Sequence, residues 1–240
     1  MAVGKKLPIR NYNKIMEGIL IIDKPAGWTS YDVVNFIRRR FKIKKVGHAG
    51  TLDPLATGVL IVLLGRYTKL FRKFSSEDKE YNGTLRLGVS TDSQDADGKV
   101  IAKKEISSVN RDGLKKAFAK FSGEIEQIPP MVSALRYKGK RLYKLARQGK
   151  EVPRKPRKVS IYKFQLTDFN PPDVDFFLSC SKGTYVRTLC HDIGEILGCS
   201  GHLLRLRRIK SGDFGLNDSI TIEELKKIEQ KELEKRVIRI

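Results

Sequence analysis

At residues 47–58 the chain reads Gly-His-Ala-Gly-Thr-Leu-Asp-Pro-Leu-Ala-Thr-Gly, and residues 59–64 continue it with Val-Leu-Ile-Val-Leu-Leu. A short, unbroken apolar run of this kind is typical of a strand that is buried on both faces. Asp53 therefore lies on a glycine-punctuated loop that a rigid strand holds in place, which is a common position for catalytic groups. No Gly-Lys-Ser/Thr sequence follows, so the loop is not predicted to bind phosphate.

The same loop resembles a known motif. An Asp-Pro dipeptide alone would indicate an ordinary turn, but residues 47–58 as a whole resemble the catalytic motif of the TruB family of RNA pseudouridine synthases. That family isomerises uridine 55 in the T arm of tRNA to pseudouridine. The resemblance extends from Gly-Ile-Leu-Ile-Ile-Asp-Lys-Pro at residues 18–25 to about Arg208. It implies an isomerase with the pseudouridine synthase fold, whose partner is tRNA, bound through its T stem-loop.

The charge of the chain indicates a polyanionic partner on separate grounds. The 240 residues include 48 Lys and Arg against 27 Asp and Glu, which gives a formal net charge of +21. A surface rich in charge for thermal stability would carry both signs in balance. An excess of one sign favours nucleic acid as the partner.

Cysteine and histidine usage predicts neither a metal site nor a disulfide framework. Cys180, Cys190 and Cys199 are odd in number and lack Cys-x-x-Cys spacing. The sequence has no apolar segment suited to a signal peptide or to a membrane span. We therefore expect a soluble, cytoplasmic monomer that has no metal, no membrane association and no obligate protein partner.

The apolar pattern predicts an α+β fold with a mixed, largely antiparallel sheet flanked by helices. Strands and helices intermix without the steady alternation of a doubly wound fold. A Thr-x-x-Asp capping box at Thr29 and Asp32 predicts the start of a helix. Alternation places Tyr162, Phe164 and Leu166 on one face of a strand. The other predicted strands are 18–22, 59–64, 81–87 and 174–178, and the other helices lie around 114–121, at 185–197 and at 222–235.

The chain is predicted to have three parts. Residues 1–16 form a basic N-terminal arm, residues 17–215 the catalytic domain, and residues 216–240 a C-terminal helical stub. Most members of the family continue into a small RNA-binding domain of the PUA type. The stub does not amount to a complete PUA domain, which bears on affinity and substrate range rather than on the catalytic assignment.

A basic insertion interrupts the predicted catalytic domain. Between Arg136 and Lys158 the chain has eleven Lys and Arg and one acid, with Tyr137 and Tyr143 interleaved, which suits contact with RNA backbone and bases. The resemblance implies that residues 129–158 close over the T arm. The residues predicted to bind RNA are Lys138, Arg141, Lys144, Arg147, Arg205 and Arg208.

The chemistry of pseudouridine formation defines the catalytic groups. The reaction breaks the C1′–N1 bond and forms a C1′–C5 bond without redox change, so no cofactor is expected. It needs a carboxylate at C1′ and a base for the C5 proton. The resemblance makes Asp53 the essential aspartate and Arg187 the cation that keeps it charged. It also makes Tyr81 the tyrosine that stacks on uracil and is implicated in C5 deprotonation, Tyr185 a second active-site tyrosine, and Asp95 an aspartate that positions the arginine.

His48 is predicted to take part in base flipping. A base must leave the helical stack before its C1′ and C5 atoms can react. The resemblance implies that His48 enters the RNA and fills the space left by the extruded nucleotide. It also implies that Lys24 and Pro25 are mainly structural.

Three other functions stay open at this point. An RNA-guided pseudouridine synthase of archaeal or eukaryotic type would share the loop, but would be expected to carry a PUA domain. A nucleobase glycosidase using Asp53 would release free uracil and would ordinarily need a second catalytic carboxylate. A tRNA-folding chaperone would act without catalysing a reaction on uridine. Release of tritium from uridine C5, with an intact chain and no free base, distinguishes isomerisation from these alternatives.

Overall fold

A computed structural model describes residues 16–240 of the protein. The predicted basic arm lies outside the described residues except for Met16, which is buried in the core. The strands are β1 (Gly18–Lys24), β2 (Val46–Ala49), β3 (Thr57–Leu64), β4 (Lys79–Leu87), β5 (Val89–Thr91), β6 (Val100–Lys103), β7 (Gly123–Gln127), β8 (Arg136–Tyr137), β9 (Lys140–Arg141), β10 (Arg157–Asn170), β11 (Asp173–Cys180), β12 (Gly201–Ser211), β13 (Phe214–Gly215) and β14 (Ile220–Thr221). The α-helices are α1 (Ser30–Arg40), α2 (Phe71–Ser75), α3 (Arg111–Ala119), α4 (Leu142–Ala146), α5 (Val186–Ile196), α6 (Ile222–Lys227) and α7 (Gln230–Arg236).

Ten of these strands form one mixed sheet. Its order is β14-β1-β3-β12-β4-β11-β10-β7, with β2 paired to β3 and β13 paired to β12. The β1–β14 and β3–β12 pairs are parallel and the other pairs are antiparallel. The predicted fold class, a mixed and largely antiparallel sheet flanked by helices, is confirmed.

Strand β3 lies at the centre of the fold and is buried on both faces, as its sequence predicts. One set of its side chains packs into the larger hydrophobic core and the alternate set packs into a smaller core on the opposite face. Because both faces are covered, every position favours an apolar residue. The first set is Leu60, Val62 and Leu64, and the second is Val59, Ile61 and Leu63.

Strand β4 has one core face and one polar face. Tyr81 and Leu85 point into the larger core, whereas Asn82 and Thr84 alternate onto the other face. At Gly83, an added Cβ would lie 2.3 Å from the ring of Phe176 on β11. This glycine lets the aromatic ring pack directly against the backbone of the central strands.

Helices α1 and α5 begin where the sequence predicts. Thr29 and Asp32 form a complete capping box at the start of α1. Helix α5 starts directly after Tyr185, which occupies its N-cap position. The buried face of α5 includes Leu189 and Ile193, which belong to the larger core. The core thus fixes the first turn of α5, where Arg187 lies.

The predicted helix at 222–235 is wrong in one respect, because it is two helices. Ile228 is extended, with φ −88° and ψ 153°, and Glu229 caps the start of α7. The carbonyl of Ile228 accepts a hydrogen bond of 3.0 Å from Arg40 Nη2. A tertiary contact therefore satisfies a backbone group that a continuous helix would have bonded internally.

The predicted common face of Tyr162, Phe164 and Leu166 is also wrong for Tyr162. The pairing of β10 with β11 shifts register between Ile161 and Lys163. This irregularity turns Tyr162 outward, where it is 57% exposed, while Phe164 stays buried. A bulge of this kind breaks the period of two on which the prediction depends.

Candidate active site

The loop that carries Asp53 is fixed by hydrogen bonds from buried side chains. The Ser30 hydroxyl accepts from the Leu52 N–H at 2.9 Å and donates to the Leu52 carbonyl at 3.1 Å. On the other side of Asp53, Lys24 Nζ donates to the Pro54 carbonyl at 3.3 Å. These bonds hold both neighbours of Asp53, while its own side chain stays 44% exposed.

Arg187 forms an ion pair with Asp53, as the sequence analysis predicts. Its Nε lies 3.0 Å from Asp53 Oδ2 and 3.5 Å from Asp95 Oδ2. The side chain of Arg187 is only 4% exposed. The same nitrogen therefore faces two carboxylates, of which one reaches solvent and the other is buried. The predicted neighbourhood of Asp53, Asp95 and Arg187 is present.

The remaining nitrogens of Arg187 bind backbone carbonyls. Nη1 donates to the carbonyl of Ser93 at 2.9 Å, and Nη2 donates to the carbonyl of Val132 at 2.8 Å. The guanidinium thus does not present a two-pronged fork to Asp53. It is instead held in one orientation, which leaves Nε directed at the Asp53 carboxylate.

Asp95 is a buried support for this arrangement. Burial raises the pKa of its carboxyl group, and the hydrogen bond from the Ser93 hydroxyl and the charge of Arg187 oppose that rise. The Asp95 carboxylate also accepts from the Asp97 N–H at 3.2 Å. A carboxylate held by several donors is suited to orienting a neighbouring arginine.

Tyr81 lies in the core wall beside the site. Burial raises the pKa of its phenol to about 12, and the positive charge of Arg208 works in the opposite direction. The phenol is therefore neutral near pH 7. It can stack on a base in this form, and any role as a proton acceptor requires a nearby cation.

Tyr185 is held through its backbone. Its N–H donates to Gln127 Oε1 at 2.7 Å, and its carbonyl accepts from Gln127 Nε2 at 3.0 Å. Burial raises the pKa of the Tyr185 hydroxyl, and the positive charges of Arg157 and Arg187 partly oppose that rise. Gln127 is a buried residue that the sequence analysis did not identify, because an isolated glutamine carries no motif.

His48 lies on β2, opposite Val62 of β3. Its ring is half-buried, and within residues 16–240 its buried Nδ1 has no hydrogen-bond partner. Burial lowers the pKa of the imidazole, and the charge of Arg208 lowers it further. The ring is thus neutral at physiological pH, as a stacking surface should be.

The structure corrects the prediction that Arg208 binds RNA. The residue is 1% exposed, because β12 places it opposite Tyr81 on the core face of the sheet. Its Nε donates to the Val59 carbonyl at 2.6 Å, and its Nη2 donates to the Gly50 carbonyl at 2.9 Å. Arg208 therefore belongs to the interior of the site and not to the protein surface.

Two buried lysines add to the positive potential around the site. Lys24 and Lys79 are both buried, and desolvation lowers the pKa of each to about 8. The charge of Asp53 partly offsets this effect at Lys24. The sequence analysis assigns only a structural role to Lys24 and does not single out Lys79, since burial of a lysine is rare and has no local signature.

The other predicted RNA-binding residues do not join the cluster of Asp53, Asp95 and Arg187. Arg205 pairs with Thr84 in the sheet, on the face opposite to Tyr81. The four candidates on the basic insertion are exposed around the β8–β9 hairpin and α4. They are Lys138, Arg141, Lys144 and Arg147.

The assembled site offers an accessible carboxylate held by a fixed guanidinium, with two aromatic side chains alongside. A carboxylate in this setting can act as a nucleophile or as a base. Among residues 16–240, the acidic, histidine and cysteine side chains form no cluster of metal-binding type. In the same part of the chain, no helix has the length and apolar character that a membrane crossing requires.

Two family models together match most of the chain. "TruB family pseudouridylate synthase (N terminal domain)" matches residues 38–186, and "tRNA pseudouridylate synthase B C-terminal domain" matches residues 187–239. The boundary falls inside α5, so both matched parts contribute to one hydrophobic core.

Curated relatives match over nearly the same extent. The protein is 50% identical to "tRNA pseudouridine synthase B" of Syntrophotalea carbinolica, over 87% of this chain and 68% of that protein. It is 47% identical to the protein of the same name from Opitutus terrae, over 94% of this chain and 93% of that protein.

Solved structures share the fold at lower identity. A chain of a Cbf5-Nop10-Gar1 complex is 29% identical with a TM-score of 0.70, over 92% of this chain and 59% of that chain. A chain of an H/ACA RNP bound to a substrate RNA containing 2′-deoxyuridine is 27% identical with a TM-score of 0.65, over 89% of this chain and 56% of that chain. The protein thus spans a little more than half of these longer chains.

Proposed function

The chain belongs to the TruB family of pseudouridylate synthases, and on this premise we propose that it isomerises uridine 55 in the T arm of tRNA to pseudouridine. The observation that carries the proposal is the ion pair of 3.0 Å between Arg187 Nε and Asp53 Oδ2, in which the carboxylate is accessible and the guanidinium is buried. The names of relatives at 47–50% identity support tRNA as the substrate. The formal net charge of +21 supports the same class of partner.

Asp53 starts the reaction at C1′ of the flipped uridine. Attack of its carboxylate on C1′ expels N1 with the bonding electrons, and the freed uracil turns within the site. C5 then attacks C1′ and expels the carboxylate, after which the C5 proton is removed and N1 is protonated. No atom is gained or lost. A route in which Asp53 first removes a sugar proton requires the same ionised carboxylate, which Arg187 stabilises.

The surrounding residues hold the base and the RNA. Tyr81 stacks on the uracil and acts in removal of the C5 proton, with Tyr185 as the second aromatic wall. His48, as a neutral ring, fills the place of the extruded nucleotide. The insertion at 129–158 closes over the T arm, with its exposed lysine and arginine side chains on the phosphates.

An RNA-guided function is the second candidate, and the similarity to the Cbf5 complex and the H/ACA RNP favours it. Those chains are 27–29% identical to this one, whereas the relatives named tRNA pseudouridine synthase B are 47–50% identical. The higher identity supports direct action on tRNA without a guide.

Incubation of the purified protein with an unmodified tRNA transcript carrying tritium at uridine C5 tests the proposal. We expect tritium release that is stoichiometric with tRNA, an intact RNA chain and no free uracil. A transcript with cytidine at position 55 is the matched control and should release none. Free uracil would indicate a glycosidase, and release that depends on an added guide RNA would indicate the second candidate.

A further inference from the structure

Arg208 is a buried cation that the reaction described above does not use. Strand β12 places it directly opposite Tyr81 of β4. Within residues 16–240 no carboxylate lies within ion-pair distance of its guanidinium. A buried charge without a counter-ion is costly, and its retention needs a reason other than stability.

The hydrogen bonds of Arg208 join both ends of the Asp53 loop. Gly50 precedes Asp53 by three residues and Val59 follows it by six, and the carbonyl of each accepts from this one guanidinium, at 2.9 and 2.6 Å. Close contact continues along the backbone, because an added Cβ at Gly58 would lie 2.1 Å from the Arg208 carbonyl oxygen. The Arg208 side chain therefore holds both ends of the Asp53 loop, and the Arg208 backbone packs against the loop at Gly58.

Tyr81 is the cross-strand partner of Arg208, so the two side chains project from the same face of the sheet. The positive charge of the guanidinium lowers the pKa of the phenol, against the effect of burial. Arg208 is thus a physical link between the loop that carries the nucleophile and the aromatic side chain on which the base would stack. Its neighbour Arg205 has no such position, because it lies on the other face of the sheet.

We propose that Arg208 is a positioning residue, which fixes the Asp53 loop relative to Tyr81 so that C1′ and the turning base stay aligned. The proposal rests on the proposed function, since Asp53 and Tyr81 act in it. A displacement of about 1 Å between reacting groups costs on the order of 10²-fold in rate. A residue that ties both groups together should therefore affect turnover far more than RNA binding.

The test compares Arg208→Met and Arg208→Lys in two backgrounds, wild type and Tyr81→Phe. Single-turnover rates on saturating tRNA and tRNA dissociation constants are measured for each. We expect Arg208→Met to slow the rate about 10²-fold while affinity stays within about threefold. Arg208→Lys keeps the charge but not both carbonyl bonds, and should lose about tenfold. In the Tyr81→Phe background the loss from Arg208→Met should shrink below about tenfold, because coupled residues are not additive.

Three results would overturn the proposal. A rate for Arg208→Met within about twofold of wild type would show that the link is not needed. A loss of affinity as large as the loss of rate would make Arg208 an RNA contact. An equal loss of rate in both backgrounds would mean that Arg208 supports the loop independently of Tyr81.

Controls separate this proposal from folding effects and from the proposed function. Arg86→Met removes an arginine from the opposite face of β4, where it pairs with Asp173, and should leave the rate within about twofold of wild type. Thermal unfolding monitors each variant, and if Arg208→Met does not fold, Arg208→Lys takes its place in the same two-background comparison. Inactivity of the wild type on tRNA would contradict the proposed function rather than the role of Arg208.

Discussion

The catalytic loop (residues 50–59) and the basic insertion (residues 129–158) are held in opposite ways. The backbone of the loop accepts hydrogen bonds from Ser30, Lys24 and Arg208, all of which are buried. The insertion bonds largely to itself, as in the 2.8 Å bond from the Leu142 N–H to the Leu135 carbonyl. The loop is therefore held by buried side chains of other elements, whereas most hydrogen bonds of the insertion before β10 lie within it, apart from the bond from Arg187 to Val132.

The difference separates two tasks. Under the proposed function, catalysis requires a carboxylate fixed in the geometry of the transition state, and a loop supported by buried donors is suited to supply it. Binding of a long anion requires many exposed cations, each of which contributes little alone. Arg187 connects the two regions, because its Nε faces Asp53 and its Nη2 binds the Val132 carbonyl of the insertion.

The largest effect is expected for Asp53→Asn, which tests whether the loop serves chemistry alone. Loss of the charge at C1′ should reduce single-turnover rate by about 10⁴-fold or more. Affinity for tRNA should stay within about threefold, because it depends mainly on phosphate contacts. Single-turnover kinetics beside filter binding measures both, and appreciable activity in a preparation free of other synthases would remove Asp53 from its role.

Arg187→Ala should have the next largest effect and tests the connection between the two regions. Loss of the guanidinium leaves Asp53 without its cation and should slow turnover by about 10³-fold. It also removes the bond to Val132, so amide exchange near residue 132 should become faster. Arg187→Lys is the matched control, since it keeps the charge and cannot make all of the contacts. Wild-type turnover in both variants would show that the ion pair has no catalytic role.

Tyr81→Phe is expected to have an intermediate effect on turnover and to leave tRNA binding by the insertion unchanged. The ring and its stacking surface remain, while the hydroxyl on which the charge of Arg208 acts is lost. Turnover should fall by about 10²-fold with little change in tRNA affinity. Single-turnover rates and tRNA dissociation constants decide the question. If Tyr81 is needed only for core packing, Tyr81→Phe should change neither quantity appreciably.

The buried strand β3, the start of helix α1 and the position of Asp53 can be predicted from the sequence because they depend on local patterns. The continuous apolar run of β3 requires burial on both faces, and the Thr29–Asp32 pair requires a helix start. The resemblance of residues 47–58 to a catalytic motif locates Asp53. Such features need only a few neighbouring residues to be recognised.

The sequence does not predict the features that depend on strand register. Arg205 and Arg208 are close in the sequence and equally basic, yet one lies on the polar face and the other is buried. Register shifts occur in the pairing of β12 with β4 after Leu203 and after Arg208. The partners of Arg208 are distant in sequence, so no local pattern marks it as interior.

The smallest effect per residue is expected in the insertion. Arg141, Lys144 and Arg147 are exposed there, and their combined change to alanine removes three positive charges. Binding of tRNA should weaken by about tenfold, and the slope of log affinity against log salt should fall by about 2. The rate on saturating tRNA should stay within a few-fold, because Asp53 and its supports are untouched. Alanine at Lys115 and Lys116 of α3 and at Lys120, the C-cap of that helix, is a control with an equal change of charge.

Hydrogen exchange across residues 129–158, with and without a T-arm stem-loop, completes this last test. The dense positive charge of the segment repels itself in the free protein, and bound phosphates would relieve that repulsion. Amides of the insertion should therefore gain protection on binding, while the amides of Leu52 and Ala56, which donate to Ser30 Oγ and to the Asp53 carbonyl, should already be protected in the free protein. Equal protection of the insertion in both states would make it a preformed platform. The contrast between a fixed loop and an adaptable insertion would then be reduced to a difference in charge.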